Sequence, residues 1–461
     1  MHKSHLGFRK EKPKIRQKKK MAMKTIEVCR IEPSSSPTSL TLPLTFFDLF
    51  WLRLPPVERL FFYHFPHPPS HFFHSLLPSL KLSLSLSLSH FLPLSGHLSW
   101  PLHSPKPLVT YQPGHDAVSL TVAESDADFD LLSGFGFSDA MQCHHLIPHL
   151  DSSHDRSSVL ALQITLFPNS GFSIAISSHH AVLDGKTSTS FMKSWAYICK
   201  NNPKSSKSEI SICLPPDLAP SLDRSLIEDP KELGMRYASD WLNHGGPNNR
   251  SLEVWNLPLP EGAVRGVFEL TRSDIENLKR FVTSKRRHFG RVSTFVVCCA
   301  YAGRLEPPLP ETYFGNCVGS RMAMVETREI LMGEEGDGVV AAVEVMVEAL
   351  ESLKDGVLKG AESWVSKLQG GFGTEDDWVI GGAGTPRFGV YETDFGWGRP
   401  KKVEMTSVDR TGAIWFTESR NGGGDGGVEI GLVMKKSVMQ EFASLFVKHL
   451  QFITQATASD E

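Results

Sequence analysis

With 461 residues, 40% hydrophobic and 21% charged, the chain is long enough to build two full cores, since single domains usually run to about 100–200 residues. The formal net charge of −3 hides a basic start, with nine Lys or Arg against one acidic residue in Met1–Lys20, followed by an acidic body that argues against a nucleic-acid partner. No run approaches the roughly 20 apolar residues of a membrane span, and seven cysteines without CxxC spacing fit the reduced thiols of a cytoplasmic protein.

In chain order, residues 1–20 lack the apolar core of a secretory signal and are expected to form a disordered basic extension. Ser75–Leu92 alternates Leu and Ser, but Leu76, Leu80, Leu84 and Leu88 also share a helical face, and the length exceeds a usual strand, so a helix is expected. Val159–Ser177 reads as two β-rich segments around the turn Pro168-Asn169-Ser170-Gly171. Residues 201–249, rich in Pro, Ser, Asp and Asn, read as a crossover linker. Beyond it come a strand at Gly266–Leu270, helices at Thr271–Val282 and Gly338–Leu353, three short strands within Val403–Val433 and a closing helix at Ser437–Gln451. Such mixing predicts an α/β protein of sandwich domains, one at 21–200 and one at 250–461.

The heptapeptide His179-His180-Ala181-Val182-Leu183-Asp184-Gly185 follows the second β segment, where α/β proteins place chemistry. An imidazole with an ordinary pKa of about 6.5 can take a proton from a hydroxyl held within hydrogen-bond reach. His180 is therefore the candidate general base, and Asp184 is placed to orient it, to stabilise it or to anchor the loop. A structural histidine followed by an aspartate at a helix start fits the same letters. No metal is expected, because successive histidines point apart and an HExxH-like partner is missing. A nucleophilic serine has no G-x-S-x-G mount, and neither a P-loop nor a dinucleotide fingerprint occurs.

Two further clusters stand out: Tyr313-Phe314-Gly315-Asn316-Cys317 and Asp394-Phe395-Gly396-Trp397-Gly398. Together, HHAVLDG, YFGNC and DFGWG resemble the BAHD family of plant acyl-CoA-dependent acyltransferases, over about Met21–Gln451. LPLTFFDLFWL near Leu42, FLPLSGHLSWP from Phe91, VSTFVVCCAYA from Val292 and TPRFGVYETDFGWGRPKKVE from Thr385 are similar to the branch that acylates sugar hydroxyls of phenolic and flavonoid glucosides, often with malonyl-CoA. The resemblance implies two chloramphenicol-acetyltransferase-like sandwich domains with an active-site channel between them. It makes His180 the base, Asp184 mainly structural, Asp394 a second proton acceptor in some descriptions, Gly396 and Trp397 shapers of the channel or oxyanion site, and Ser293 and Thr294 acyl-CoA contacts. Arg287, in the basic run from Lys285, is the candidate for the coenzyme A phosphates, although cations also suit the end of a helix.

The residues themselves suggest that Asp394, in a tight turn, pairs with an arginine instead of accepting protons. No permanently bound cofactor is expected. Acyl-CoA, with malonyl-CoA favoured, and a glycosylated phenolic are the expected partners of a monomer. Family members begin with something like MAMKTIEVCRIEP, found here from Met21, so the preceding residues are expected to be an artefact of start-site choice. After Ala302 the chain runs directly to Arg304, where the family inserts a further strand and an arginine that pairs with the HxxxD aspartate. Either Arg304 replaces that arginine or Asp184 lacks its usual partner, which raises the alternative of a catalytically impaired chain that at most binds ligands.

Overall fold

The computed structural model describes residues 22–35, 38–201, 213–285, 298–300, 304–321, 323–331, 334–370, 380–421 and 426–458. The expected basic extension and the acyl-CoA candidates Arg287, Ser293 and Thr294 lie outside the described residues.

Two mixed sheets organise the chain. The first has six strands in the order Met23–Ile31, Val118–Ser125, Leu160–Phe167, Gly171–Ser178, Val57–His64 and Lys402–Met405. Its central hairpin turns where the Pro-Asn-Ser-Gly signal sits, with Asn169 at φ 60° and the Ser170 amide donating to the Phe167 carbonyl at 3.1 Å. Every residue of Leu160–Phe167 and Gly171–Ser178 is buried, because both faces are covered. Phe61 and Tyr63 enter the main core, whereas Leu60 and Phe62 enter a smaller one with Phe129 and Phe167, as the two-residue period of a strand requires.

The Leu-Ser segment is a helix, Leu77–His90, entered through one wide turn at Phe72–Leu76. Leu80, Leu84 and Leu88 are fully buried. The serines are tolerated because Ser79, Ser83 and Ser87 donate to the carbonyls of Ser75, Ser79 and Ser83, four residues back, at 3.0, 2.8 and 2.7 Å. Against this helix packs Gly185–Asn201, whose Trp195 indole donates to the Leu80 carbonyl and to Ser83 Oγ at 3.2 and 3.0 Å.

The second sheet runs Gly382–Gly384, Ile414–Glu418, Val428–Lys435, Ala263–Leu270 and Ser138–Asp139. Two strands therefore cross the expected division at 201–249: Lys402–Met405 completes the first sheet and Ser138–Asp139 joins the second. A buried charge network holds this exchange. Arg265 bonds Glu404 and Asp409, Lys402 pairs with Glu404, and His144 Nε2 contacts Asp409 at 3.0 Å. Within the expected linker, Leu233–Asn243 forms a helix whose Trp241 indole donates to the Leu49 carbonyl at 2.7 Å, so the segment is also part of the core. The closing helix extends over Lys436–Ala458, and among the described residues no helix is long and apolar enough to cross a membrane.

Candidate active site

The hairpin delivers the first motif. The strand Gly171–Ser178 ends one residue before His179, whose amide donates to the Val159 carbonyl at 2.9 Å and whose carbonyl accepts from Val182 at 3.0 Å, closing a tight turn. The His179 ring is wholly buried, and its Nδ1 accepts the Ala181 amide at 3.2 Å, which places its proton on Nε2. Burial, with a smaller push from His180, lowers its pKa to about 3. His179 therefore serves as a neutral prop for the turn.

His180 follows in the chain. Its ring stacks on Trp51, with centroids 4.0 Å apart and planes inclined by 7°, and its carbonyl accepts from Asn316 Nδ2 at 2.8 Å. Desolvation lowers its pKa to about 4, so the imidazole is neutral and able to accept a proton across the physiological range.

Asp184 ends the motif as a helix cap. Its Oδ1 accepts the Thr187 amide at 2.9 Å and its carbonyl accepts Ser188 at 2.9 Å, starting the helix Gly185–Asn201. Its Oδ2 accepts the Cys317 amide at 3.4 Å, which ties HHAVLDG to YFGNC. Burial raises its pKa, and the Thr187 and Cys317 amides pull it back in part. Arg304 is exposed, whereas the buried Arg59 guanidinium is close enough for its charge to interact with Asp184. The expected exchange with Arg304 thus gives way to backbone amides and Arg59: a cap geometry meets most of the carboxylate's hydrogen-bonding demand.

The second motif arrives through a residue the sequence reading passed over. Asp48, fully buried, caps the short helix Phe46–Phe50 in a reciprocal box with Thr45 and takes both the backbone and side-chain N–H of Asn316 on Oδ1, each at 3.0 Å. Arg224, from the expected linker, lies 3.4 Å from Asp48 Oδ2 and donates to the Tyr313 hydroxyl at 2.9 Å. Gly315 is required here: at φ 138° it lies so close to Arg224 that a Cβ would be 1.9 Å from Nη1. A signal for Asp48 was present, since one carboxylate inside TFFDLFW needs a partner; nothing local points to Arg224.

The third motif lies elsewhere. Asp394 pairs with Lys200 at 2.7 Å, at the far end of the helix that Asp184 caps, so about 24 Å of helix separates the two carboxylates. The expected arginine partner is thus a lysine. Burial alone would raise the Asp394 pKa, but Lys200 and the amides of Gly396 and Gly398, at 2.8 and 2.9 Å, hold it below the ordinary carboxylate value. Asp394, with the neighbouring Gly396 and Trp397, therefore sits by Lys200, at the other end of that helix from its Asp184 cap. Phe395 instead packs edge-on against Tyr63 and Trp195, and Gly396 and Gly398 have φ near 100°, at 101° and 103°. DFGWG is a clamp on the end of the motif helix. Lys186, Lys193 and Lys200, two turns apart on that helix, pair with Glu311, Glu392 and Asp394 at 2.5, 2.7 and 2.7 Å and set it against the second half of the chain. Lys285, at the start of the basic run, pairs with Glu334 and Asp337.

A family model described as the Transferase family matches residues 21–214 and 279–448. Phenolic glucoside malonyltransferase 1 of Arabidopsis thaliana is 40% identical over an alignment of 486 positions that covers 95% of this chain and 100% of that protein. The chain belongs to the BAHD acyltransferase family. It is an acyl-CoA-dependent O-acyltransferase, equally similar, at 40% identity over 92% of its length and 98% of the relative's, to malonyl-CoA:anthocyanidin 5-O-glucoside-6''-O-malonyltransferase of the same plant. Agmatine coumaroyltransferase of Arabidopsis thaliana is 36% identical over 93% of this chain and 99% of its own length. The acyltransferase shares its fold with vinorine synthase, at a TM-score of 0.63 and 19% identity over 91% of this chain and 96% of that one. TRI101 of F. sporotrichioides, solved with coenzyme A and T-2, superposes at a TM-score of 0.59 and 14% identity, covering 87% and 96% of the two chains.

Proposed function

We propose that the enzyme transfers an acyl group, malonyl in the first instance, from coenzyme A to a hydroxyl of a phenolic or flavonoid glucoside, with His180 as general base. The observation that carries this reading is the neutral imidazole at the end of the hairpin, half-buried and stacked on Trp51, on a residue whose backbone carbonyl is held by Asn316 of YFGNC. Support for the donor and acceptor comes from the relatives named for malonyl transfer to phenolic and anthocyanidin glucosides. A thioester is already activated, so one base suffices. His180 Nε2 removes the hydroxyl proton as the oxygen attacks the thioester carbonyl, the C–S bond breaks, and the proton passes to the departing thiolate, giving the ester and free coenzyme A. General-base assistance of this kind contributes about 10²–10⁴ in rate.

His180→Ala should abolish transfer in a panel of acyl-CoA donors and glucoside acceptors followed by chromatography, with an unchanged circular dichroism spectrum. Near-wild-type turnover would remove His180 from the mechanism, and turnover confined to hydroxycinnamoyl donors would replace malonyl. The reading includes a cytoplasmic monomer, checked by light scattering. A second reading, an impaired chain, is favoured by one observation: the alignment with the first relative spans 486 positions, more than the 461 residues here, so part of that relative lacks a counterpart. Turnover of malonyl-CoA by the purified chain excludes it.

A further inference from the structure

Two buried atoms of the site close no full hydrogen bond among the described residues, Nδ1 of His180 and Oδ1 of Asn316, and the His180 ring lies beside its own carbonyl and the Asn316 side chain. One can be a donor and the other is an acceptor, and they belong to residues already joined by the 2.8 Å bond from Asn316 Nδ2 to the His180 carbonyl. Orientation of the amide is decided by its surroundings. Nδ2 lies between two oxygens that can only accept, the His180 carbonyl at 2.8 Å and Asp48 Oδ1 at 3.0 Å, so the nitrogen must stand there and Oδ1 is the atom left over. Asp48 is fixed in turn, because Oδ1 holds both N–H groups of Asn316 while Oδ2 takes the Thr45 amide and hydroxyl at 2.9 and 2.8 Å and faces Arg224 at 3.4 Å.

We propose that Asn316 is the orienting residue of the base: its Oδ1 accepts the Nδ1 proton of His180, leaving Nε2 as the lone pair that meets the substrate hydroxyl, and the buried Asp48–Arg224 pair keeps the amide from turning over. This rests on His180 being the base. It assigns the role that a carboxylate plays in a Ser-His-Asp triad to a neutral amide. The aspartate of the histidine motif is occupied with capping a helix and bonding Cys317, so it is not the orienting group. A neutral partner also suits this reaction: a carboxylate would favour the imidazolium and retain the proton that the thiolate must receive, whereas an amide selects the tautomer without trapping the charge. Asn316, Asp48 and Arg224 are thus positioning residues, drawn from three distant parts of the chain.

The imidazole itself provides the test. In the full chain labelled with ¹⁵N-histidine, the His180 signals are assigned by difference against His180→Ala, and tautomer and kinetics are compared for wild type, Asn316→Leu and Asp48→Asn. Wild type is expected to hold its proton on Nδ1 in the neutral state. Asn316→Leu removes the acceptor and Asp48→Asn lets the amide turn its NH₂ toward the ring, so both should move the proton toward Nε2. Both should lower kcat by about 10²-fold while the KM for donor and acceptor stays within about threefold. A wild-type proton on Nε2, or an unchanged tautomer in the variants, overturns the proposal; a change in melting temperature alone does the same, because a merely structural role would produce it. Should Asn316→Leu fail to fold, Asp48→Asn decides. Full activity of His180→Ala would instead overturn the base assignment and leave the tautomer result standing as a separate fact.

Discussion

Replacing Asp184 separates scaffold from chemistry. In Asp184→Ala the helix Gly185–Asn201 loses its cap, which costs about 1 kcal/mol, and the buried Cys317 amide loses its acceptor, which costs about 1–3 kcal/mol. The sum, about 2–4 kcal/mol, is a large part of the roughly 5–15 kcal/mol that stabilises a domain. Asp184→Asn keeps an oxygen for Thr187 but sets an NH₂ against the Cys317 amide. It also removes a charge whose burial is unfavourable. Because the folded pKa of Asp184 is raised, its favourable contribution is present below the unfolded value of about 3.9 and is lost as pH rises through the folded value, so at neutral pH the ionised group is a cost. Asparagine should therefore be milder, at about 1–2 kcal/mol. Urea unfolding followed by tryptophan fluorescence measures both, and turnover per folded molecule should fall by less than about tenfold for asparagine. An alanine variant as stable as wild type refutes the cap argument. An asparagine variant that is fully folded yet slowed by more than about 10²-fold shows that Asp184 acts on the base directly.

Three other outcomes are expected. With the His180 pKa at about 4 and that of His179 at about 3, the unfolded chain takes up protons first as pH falls below about 6.5, so stability should decline from pH 6.5 toward pH 4, by about 3 kcal/mol for His180 alone; urea midpoints at pH 5 and 7 test this, and equal values contradict it. The acid limb of kcat/KM should likewise lie nearer pH 4 than 6.5. Asp394→Asn should destabilise by about 1–3 kcal/mol through the Lys200 and amide bonds yet leave kcat within about tenfold, and a loss comparable to His180→Ala would restore Asp394 to the chemistry. Gly315→Ala should prevent stable folding or displace Arg224, seen as a fall in melting temperature of about 5 °C or more, because its Cβ would stand 1.9 Å from a guanidinium nitrogen in a left-handed backbone.

Much of the site could be read from short stretches. The Pro-Asn-Ser-Gly turn, the strands beside it, the candidate base at the strand end and the terminal helix all depend on chemistry within a few residues: turn propensity, side-chain period and capping. The Leu-Ser segment fits two periods; its length pointed to the helical one, and the bonds from the Trp195 indole to Leu80 and Ser83 fix it. Long-range contacts decided the remainder. Whether Asp394 faces a substrate or a lysine depends on the length of the helix ending at Asn201, and the three strands of 402–435 divide between two sheets, the first at the edge of one beside Val57–His64 and the other two in the interior of the other. Above all, Asp48, Arg224 and Asn316 are brought together by charge compensation. A buried carboxylate must find its donors somewhere in the fold, and nothing in the letters around it says where they will come from; so the sequence alone marked His180 as the candidate base, and only the tertiary structure brought Asn316, Asp48 and Arg224 to it.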